Sequence, residues 1–98
     1  MAKVYFTITG CNHYMGFDFF EKGMKVKIIK EPDNAYDAEA IMVKVKGLGK
    51  VGYVAKSTHT VLGESMSAGR IYDKVSKKSY GKVVSVVDRG VICELKKK

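Results

Sequence analysis

Short segments of alternating apolar and polar residues, separated by turns, constrain the fold of this chain more than any other feature. Six of them are rich in β-branched and aromatic residues: 3–9, 24–30, 40–45, 50–54, 80–87 and 91–95. Segments of this kind are typical of half-buried strands. Glycines or the run Glu31-Pro32-Asp33-Asn34 separate most of them, which predicts tight turns. We therefore predict a mainly β protein, a small OB-like or SH3-like β-barrel of about six strands.

Residues 56–75 break the strand pattern and predict one or two short helices. Ser57 or Thr58 could cap the first helix, within residues 56–68, and Ile71, Tyr72 and Val75 could add a second helical turn. Since 98 residues have room for one core, we expect a single domain over residues 1–98. Residues 96–98, all lysine, are expected to form a frayed tail.

The charge balance points to a polyanionic partner. The chain has 18 Lys and Arg against 10 Asp and Glu, a formal charge of +8. Nucleic acid is the usual polyanion attracted by such a surface, although a basic protein without such a partner fits the same composition. Among these basic residues only two, Arg70 and Arg89, are arginines. Lysine suits attraction to a phosphate backbone better than reading of base edges, so we do not expect sequence-specific duplex recognition.

Other classes of protein are disfavoured by the sequence. Cys11 and Cys93 are far apart with no CxxC spacing, which predicts free thiols and neither metal nor cofactor. The chain has no nucleophile–base motif and no GxxxxGK phosphate loop, so we expect no catalysis. No apolar run reaches membrane-spanning length and no signal pattern is present, which predicts a cytoplasmic or nucleoid-associated protein without a membrane partner.

The most distinctive segment is residues 30–41, with the sequence KEPDNAYDAEAI. Its turn places the ring of Tyr36 beside the carboxylate of Asp37, immediately before a predicted strand. An unpaired base can stack on such a ring, a contact worth roughly 1–3 kcal/mol. A carboxylate beside the ring can accept a hydrogen bond from a terminal hydroxyl and would repel a phosphate in the same place. The pair therefore suits a nucleic-acid strand that ends in a hydroxyl.

The sequence resembles the HIRAN domain family at this segment. The family pattern R/K-E-P-x-N-x-Y-D-x-x-A-I-x-V is filled by Lys30, Glu31, Pro32, Asn34, Tyr36, Asp37, Ala40, Ile41 and Val43. The glycine-bounded loop of residues 10–16 and the segment Val51-Gly52-Tyr53 correspond to two further family motifs. The match runs in order from about residue 4 to about residue 66.

The resemblance implies an OB-like barrel that binds DNA. In a eukaryotic member of the family the domain captures the 3′ end of single-stranded DNA and supports replication-fork reversal. The resemblance therefore implies a module for single-stranded DNA or DNA 3′ ends, acting in DNA repair or fork processing, with a helicase or nuclease as a candidate partner.

The implied contacts come from three segments. Tyr36 would stack on a base, Asp37 would accept from the 3′-hydroxyl, and Lys56 would bind a phosphate. Further contacts are implied for four residues: Asn12, His13, Tyr14 and Tyr53. Asn12 stands where that family member has an arginine, so it could donate to a phosphate only without the charge.

Four of these residues also have a purely structural interpretation. Asp37 could only close an Asx turn, Tyr36 could pack on the barrel, and Lys56 could be a solvated charge. Tyr53 could face either the solvent or the core. The alternative function is a protein–protein interaction adaptor that does not bind DNA.

Overall fold

Six antiparallel strands close into a barrel. The computed structural model describes residues 3–11, 14, 16, 18–56, 67–87 and 90–96. Within them the strands are β1 (Tyr5–Thr9), β2 (Lys25–Lys30), β3 (Ile41–Val45), β4 (Gly49–Val54), β5 (Lys78–Val87) and β6 (Gly90–Lys96). A helix, α1 (Ala68–Tyr72), precedes β5. The strands close in the order β1-β4-β3-β2-β5-β6, which confirms the prediction of a mainly β barrel of about six strands with a short helix.

Alternation of side chains along each strand fills the barrel. In β2, Val26 and Ile28 are buried, whereas Lys25 is exposed and Lys27 is only half-buried. Successive side chains of a strand point to opposite faces, so one apolar set points inward from every strand. Fully buried side chains from the strands include Phe6, Ile8, Val26, Ile28, Ile41, Val43, Val51, Val83 and Val91. Lys25 and Lys27 of β2 lie on the outer face of the barrel.

The helical region and the C-terminal residues differ in part from the prediction. α1 contains Ile71 and Tyr72, but it ends before Val75. The predicted helix within residues 56–68 lies mostly outside the described residues. The prediction of a frayed tail from residue 96 is wrong at its first residue, because Lys96 ends β6 opposite Tyr80. No helix among the described residues combines the length and hydropathy needed to cross a membrane.

Both cysteines lie in the core as free thiols, as predicted. Burial raises the pKa of Cys11 to about 11 and that of Cys93 to about 12. The thiolate is the reactive form of cysteine, so both side chains behave as small apolar groups at neutral pH.

Gly52 allows β4 to pack closely against β1 and the residues that follow it. A Cβ atom at this position would lie 2.7 Å from the carbonyl oxygen of Thr9 and 3.1 Å from Sγ of Cys11. The first contact is with backbone, which cannot move aside as a flexible side chain can. The neighbouring residue in β4, Tyr53, lies opposite Thr9, so this close approach also places Tyr53.

We predict that Gly52→Ala lowers the free energy of unfolding by about 1–3 kcal/mol, because the added methyl group overpacks this contact. Chemical denaturation followed by circular dichroism measures the change. Gly69→Ala is the matched control, since its Cβ would approach only the side-chain oxygen Oε1 of Glu39, at 3.3 Å. Alanine in α1 should be neutral or stabilising. Equal stability of Gly52→Ala and the wild type would contradict this explanation.

Candidate functional site

Asn34 organises the β2–β3 loop, which we define as residues 31–40. Its Oδ1 accepts hydrogen bonds from the backbone amides of Tyr36, at 2.9 Å, and Asp37, at 3.0 Å. Its Nδ2 donates to Oε1 of Glu31 at 3.0 Å. Asparagine commonly bonds the backbone of residues that follow it in a turn. One amide side chain therefore fixes the backbone of both central candidate residues.

Glu31 attaches this loop to the barrel wall. Its Oε1 accepts a hydrogen bond of 2.7 Å from the hydroxyl of Tyr53 in β4. Its Oε2 lies 3.4 Å from Nζ of Lys50, which in turn donates to the Tyr53 hydroxyl at 2.9 Å. Partial burial alone would raise the pKa of Glu31, but the hydrogen bonds from Tyr53 and Asn34 and the charge of Lys50 hold it below its ordinary value. The carboxylate is therefore ionised at neutral pH.

Lys50 brings two tyrosines into the same region. Its ammonium lies 5.0 Å from the ring centroid of Tyr53 and 6.0 Å from that of Tyr14, which is 42% exposed. Both distances are within the range of cation–π attraction. The hydrogen bond with Tyr53 and the charge of Glu31 raise the pKa of Lys50, so it stays protonated. We call Glu31, Lys50, Tyr53 and Tyr14 the Glu31 cluster.

Asp37 and Lys56 form an ion pair between the loop and the residues that follow β4. Nζ of Lys56 lies 2.9 Å from Oδ1 of Asp37 and 3.7 Å from Oε1 of Glu39. Oδ1 of Asp37 also accepts the backbone amide of Glu39 at 2.9 Å, so the Asx turn is confirmed. The hydrogen bonds from Lys56 and from the Glu39 amide lower the pKa of Asp37. The carboxylate is thus both a turn element and an ionised partner of a lysine.

Tyr36 is the most exposed large hydrophobic side chain described, with 97% of its surface accessible. The interpretation in which it packs on the barrel is therefore wrong. Its backbone is nevertheless fixed, because its amide donates to Asn34. Tyr36, Asp37 and Lys56 thus combine an accessible ring, an anion and a cation, and we call them the exposed cluster.

The structure brings together five of the seven candidate residues, in two clusters attached to one loop. Asn12 and His13 lie outside the described residues. Sequence reasoning assigned no role to Asn34, Glu31 or Lys50. The first two stand in the motif of residues 30–41 around Tyr36 and gave a usable signal, whereas Lys50 is one lysine among many.

The arrangement suits recognition of a ligand with a flat aromatic group and both polar and anionic groups. An exposed tyrosine ring offers a π-face, and an ionised carboxylate accepts hydrogen bonds. Lys56 and Lys50 donate hydrogen bonds and supply positive charge. These are the groups needed to hold a nucleotide by its base, its hydroxyl and its phosphate.

Comparison with known proteins gives two matches. The family model of the HIRAN domain matches residues 1–88. The crystal structure of a protein from Lactobacillus plantarum is similar with a TM-score of 0.62 and 23% sequence identity, over 96% of this chain and 93% of that chain. Identity at that level shows a shared fold alone. No curated protein matches the chain significantly.

We predict that the stability supplied by Glu31 depends on pH. Since its pKa is lowered on folding, the ionised carboxylate stabilises the protein above the unfolded pKa of about 4.3. That contribution is lost as the pH falls through the lower folded pKa. Glu31→Gln should cost about 1–3 kcal/mol at neutral pH, and the cost should shrink in acid. Urea denaturation of the wild type and the variant at several pH values measures both effects.

Glu21→Gln serves as the matched control, because Glu21 is exposed and has no ion pair with another described residue. Its effect on stability should be small at every pH. A difference between wild type and Glu31→Gln that stays constant from neutral to acid pH would refute the assignment.

Proposed function

This chain belongs to the HIRAN domain family, and from that premise we propose that it binds single-stranded DNA at its 3′ end. The family is generally associated with nucleic-acid binding. The observation that carries the finer proposal is the exposed cluster, in which an almost wholly accessible Tyr36 stands beside the ion pair of Asp37 with Lys56. The net charge of +8 supports attraction of a polyanion.

In this proposal the terminal base stacks on Tyr36. Stacking needs an accessible π-face and tolerates any base, so it gives affinity without sequence preference. The ring is free of barrel packing while its backbone amide is held by Asn34. Less conformational freedom is then lost when the base binds.

Asp37 reads the end of the strand in this proposal. Its lowered pKa keeps it ionised at neutral pH, so it can accept a hydrogen bond from a 3′-hydroxyl but repels a 3′-phosphate. Lys56 is within 2.9 Å of the same carboxylate and can donate to the preceding phosphodiester. The pair therefore distinguishes a hydroxyl end from a phosphorylated end while tolerating the backbone before it.

The Glu31 cluster provides the next contacts. Tyr14 and Tyr53 flank the ammonium of Lys50, and we assign a neighbouring nucleotide to them. Asn12 and His13 precede Tyr14 in the sequence and are assigned to the DNA through the family resemblance alone. We propose that these residues bind the DNA and catalyse no reaction.

A strand-end reader of this kind would act in DNA repair or replication-fork processing. It would present the end to a helicase or a nuclease that supplies the chemistry.

We predict that Tyr36→Ala weakens binding to labelled oligonucleotides by about 5- to 150-fold, the equivalent of one lost stacking contact. Tyr36→Phe should retain most of the affinity, because the ring remains.

Asp37→Asn should reduce the preference for a 3′-hydroxyl over a 3′-phosphate, because the charge that repels phosphate is removed. Fluorescence anisotropy with three substrates measures this: a free 3′-hydroxyl, a 3′-phosphate, and a circular strand without ends.

Asp33→Asn is the matched control for Asp37→Asn, since Asp33 is exposed in the same loop and has no ion pair with another described residue. Asp33→Asn should leave the preference for a 3′-hydroxyl over a 3′-phosphate unchanged. Equal affinity of the wild type for all three substrates would rule out end recognition. If no substrate binds at low salt, the DNA-binding proposal fails and the adaptor function is favoured.

A further inference from the structure

A groove of about 660 Å³ lies on the outer surface of the barrel, where β2, β3 and β5 meet. Its polar lining consists of Lys25, Lys27, Lys44, Lys46 and Tyr80. We call these five residues the lysine groove. None of its described lining residues is acidic. The ammonium of Lys25 lies 4.4 Å from the centroid of the Tyr80 ring, so the groove combines positive charge with an aromatic face.

The four lysines of the groove have no ion-pair partner among the described residues. This contrasts with Lys50 and Lys56, which are both paired with carboxylates. Four cations around one concave surface therefore lack neutralisation from within the described part of the protein.

Strand register places like charges opposite one another. Lys27 of β2 pairs with Lys44 of β3, and Lys44 pairs with Lys50 of β4. Side chains of directly opposed residues lie on one face with Cβ atoms roughly 5 Å apart, and like charges there are destabilising. Binding of an anion across these lysines would relieve that repulsion.

The same register connects the groove to the candidate site. Tyr80, Lys27, Lys44 and Lys50 are successive cross-strand partners, and Lys50 belongs to the Glu31 cluster. Neighbouring strands are about 4.8 Å apart, so this row is about 14 Å long. A row of this length can contact more than one phosphate of the same single strand.

We propose that the lysine groove binds the sugar–phosphate backbone of the same single strand whose 3′ end lies at the exposed cluster. The inference rests on the proposed function and extends it from the strand end to the nucleotides that precede it. Proteins that bind single strands without sequence preference combine a positive groove with aromatic stacking. Here the lysines supply the charge, and Tyr80 supplies a ring for one base. The site therefore has two parts, one that reads the end and one that holds the strand.

The test compares short and long strands. Oligonucleotides of about four and about sixteen nucleotides, both with a free 3′-hydroxyl, cover the range of typical single-strand site sizes. Lys27→Gln/Lys44→Gln should bind the long strand several-fold more weakly than the wild type and the short strand equally well. The slope of log K against log salt for the long strand should fall by about 1.4, the value for two phosphate contacts.

The matched control is Lys22→Gln/Lys74→Gln, which removes the same charge from two exposed positions outside the groove. It should leave the salt slope unchanged. Lys25→Gln/Lys46→Gln should reproduce the loss on the long strand from a second pair of groove positions. Removal of opposed charges at Lys27 and Lys44 should leave the unfolding temperature equal or higher.

The outcomes separate this inference from the proposed function. If the wild type binds the short strand but groove and control variants bind the long strand equally, the lysine groove is not a DNA contact and end binding stands. If the groove variants lose the short strand as much as the long one, the groove does not hold the extended strand. If the wild type binds neither strand at low salt, both the proposed function and this inference are wrong.

Discussion

The half-buried carboxylate of Glu31 holds the β2–β3 loop against the barrel, and the position of the exposed cluster depends on it. It receives the hydroxyl of Tyr53 from β4 and the amide of Asn34 from the loop, at 2.7 and 3.0 Å. Asn34 then fixes the backbone amides of Tyr36 and Asp37. A tyrosine with almost no packing contacts of its own is thus positioned by hydrogen bonds that begin on a strand.

The lysines of the two clusters differ from those of the lysine groove in whether a carboxylate pairs with them. Lys50 and Lys56 are paired with Glu31 and Asp37, so they contribute little to the long-range field and act on a ligand at short range, through hydrogen bonds. The lysines of the groove have no such partner among the described residues, so they carry the field that attracts a polyanion. Exposed ion pairs add little stability in general, which fits a role for the Asp37–Lys56 pair in placing groups.

The strands were predictable because one face of each is buried: Val26 and Ile28 alternate with lysines in β2 as the pattern requires. Tyr36 and Asp37 could be selected from the motif of residues 30–41 and Lys56 from the family resemblance, but their distances depend on how the loop folds back. Lys50 could not be selected, because its partners follow from the register between β3 and β4. The end of β6 was misjudged since Lys96 resembles a tail, whereas pairing with β5 extends the strand through it.

Closure of the barrel has a consequence for how a partner can be recognised. In the order β1-β4-β3-β2-β5-β6 each strand has a hydrogen-bonded neighbour on both sides. Among the described residues an incoming peptide therefore finds no wholly unpaired strand on which to add itself, the main-chain mode of recognition that open sheets provide. The β1–β4 seam is the shortest, with pairs at Ile8–Val54 and Thr9–Tyr53. We therefore expect the described barrel wall to recognise a partner through side chains and loops. Its specificity can then change by substitution on the outer face while the backbone framework stays the same.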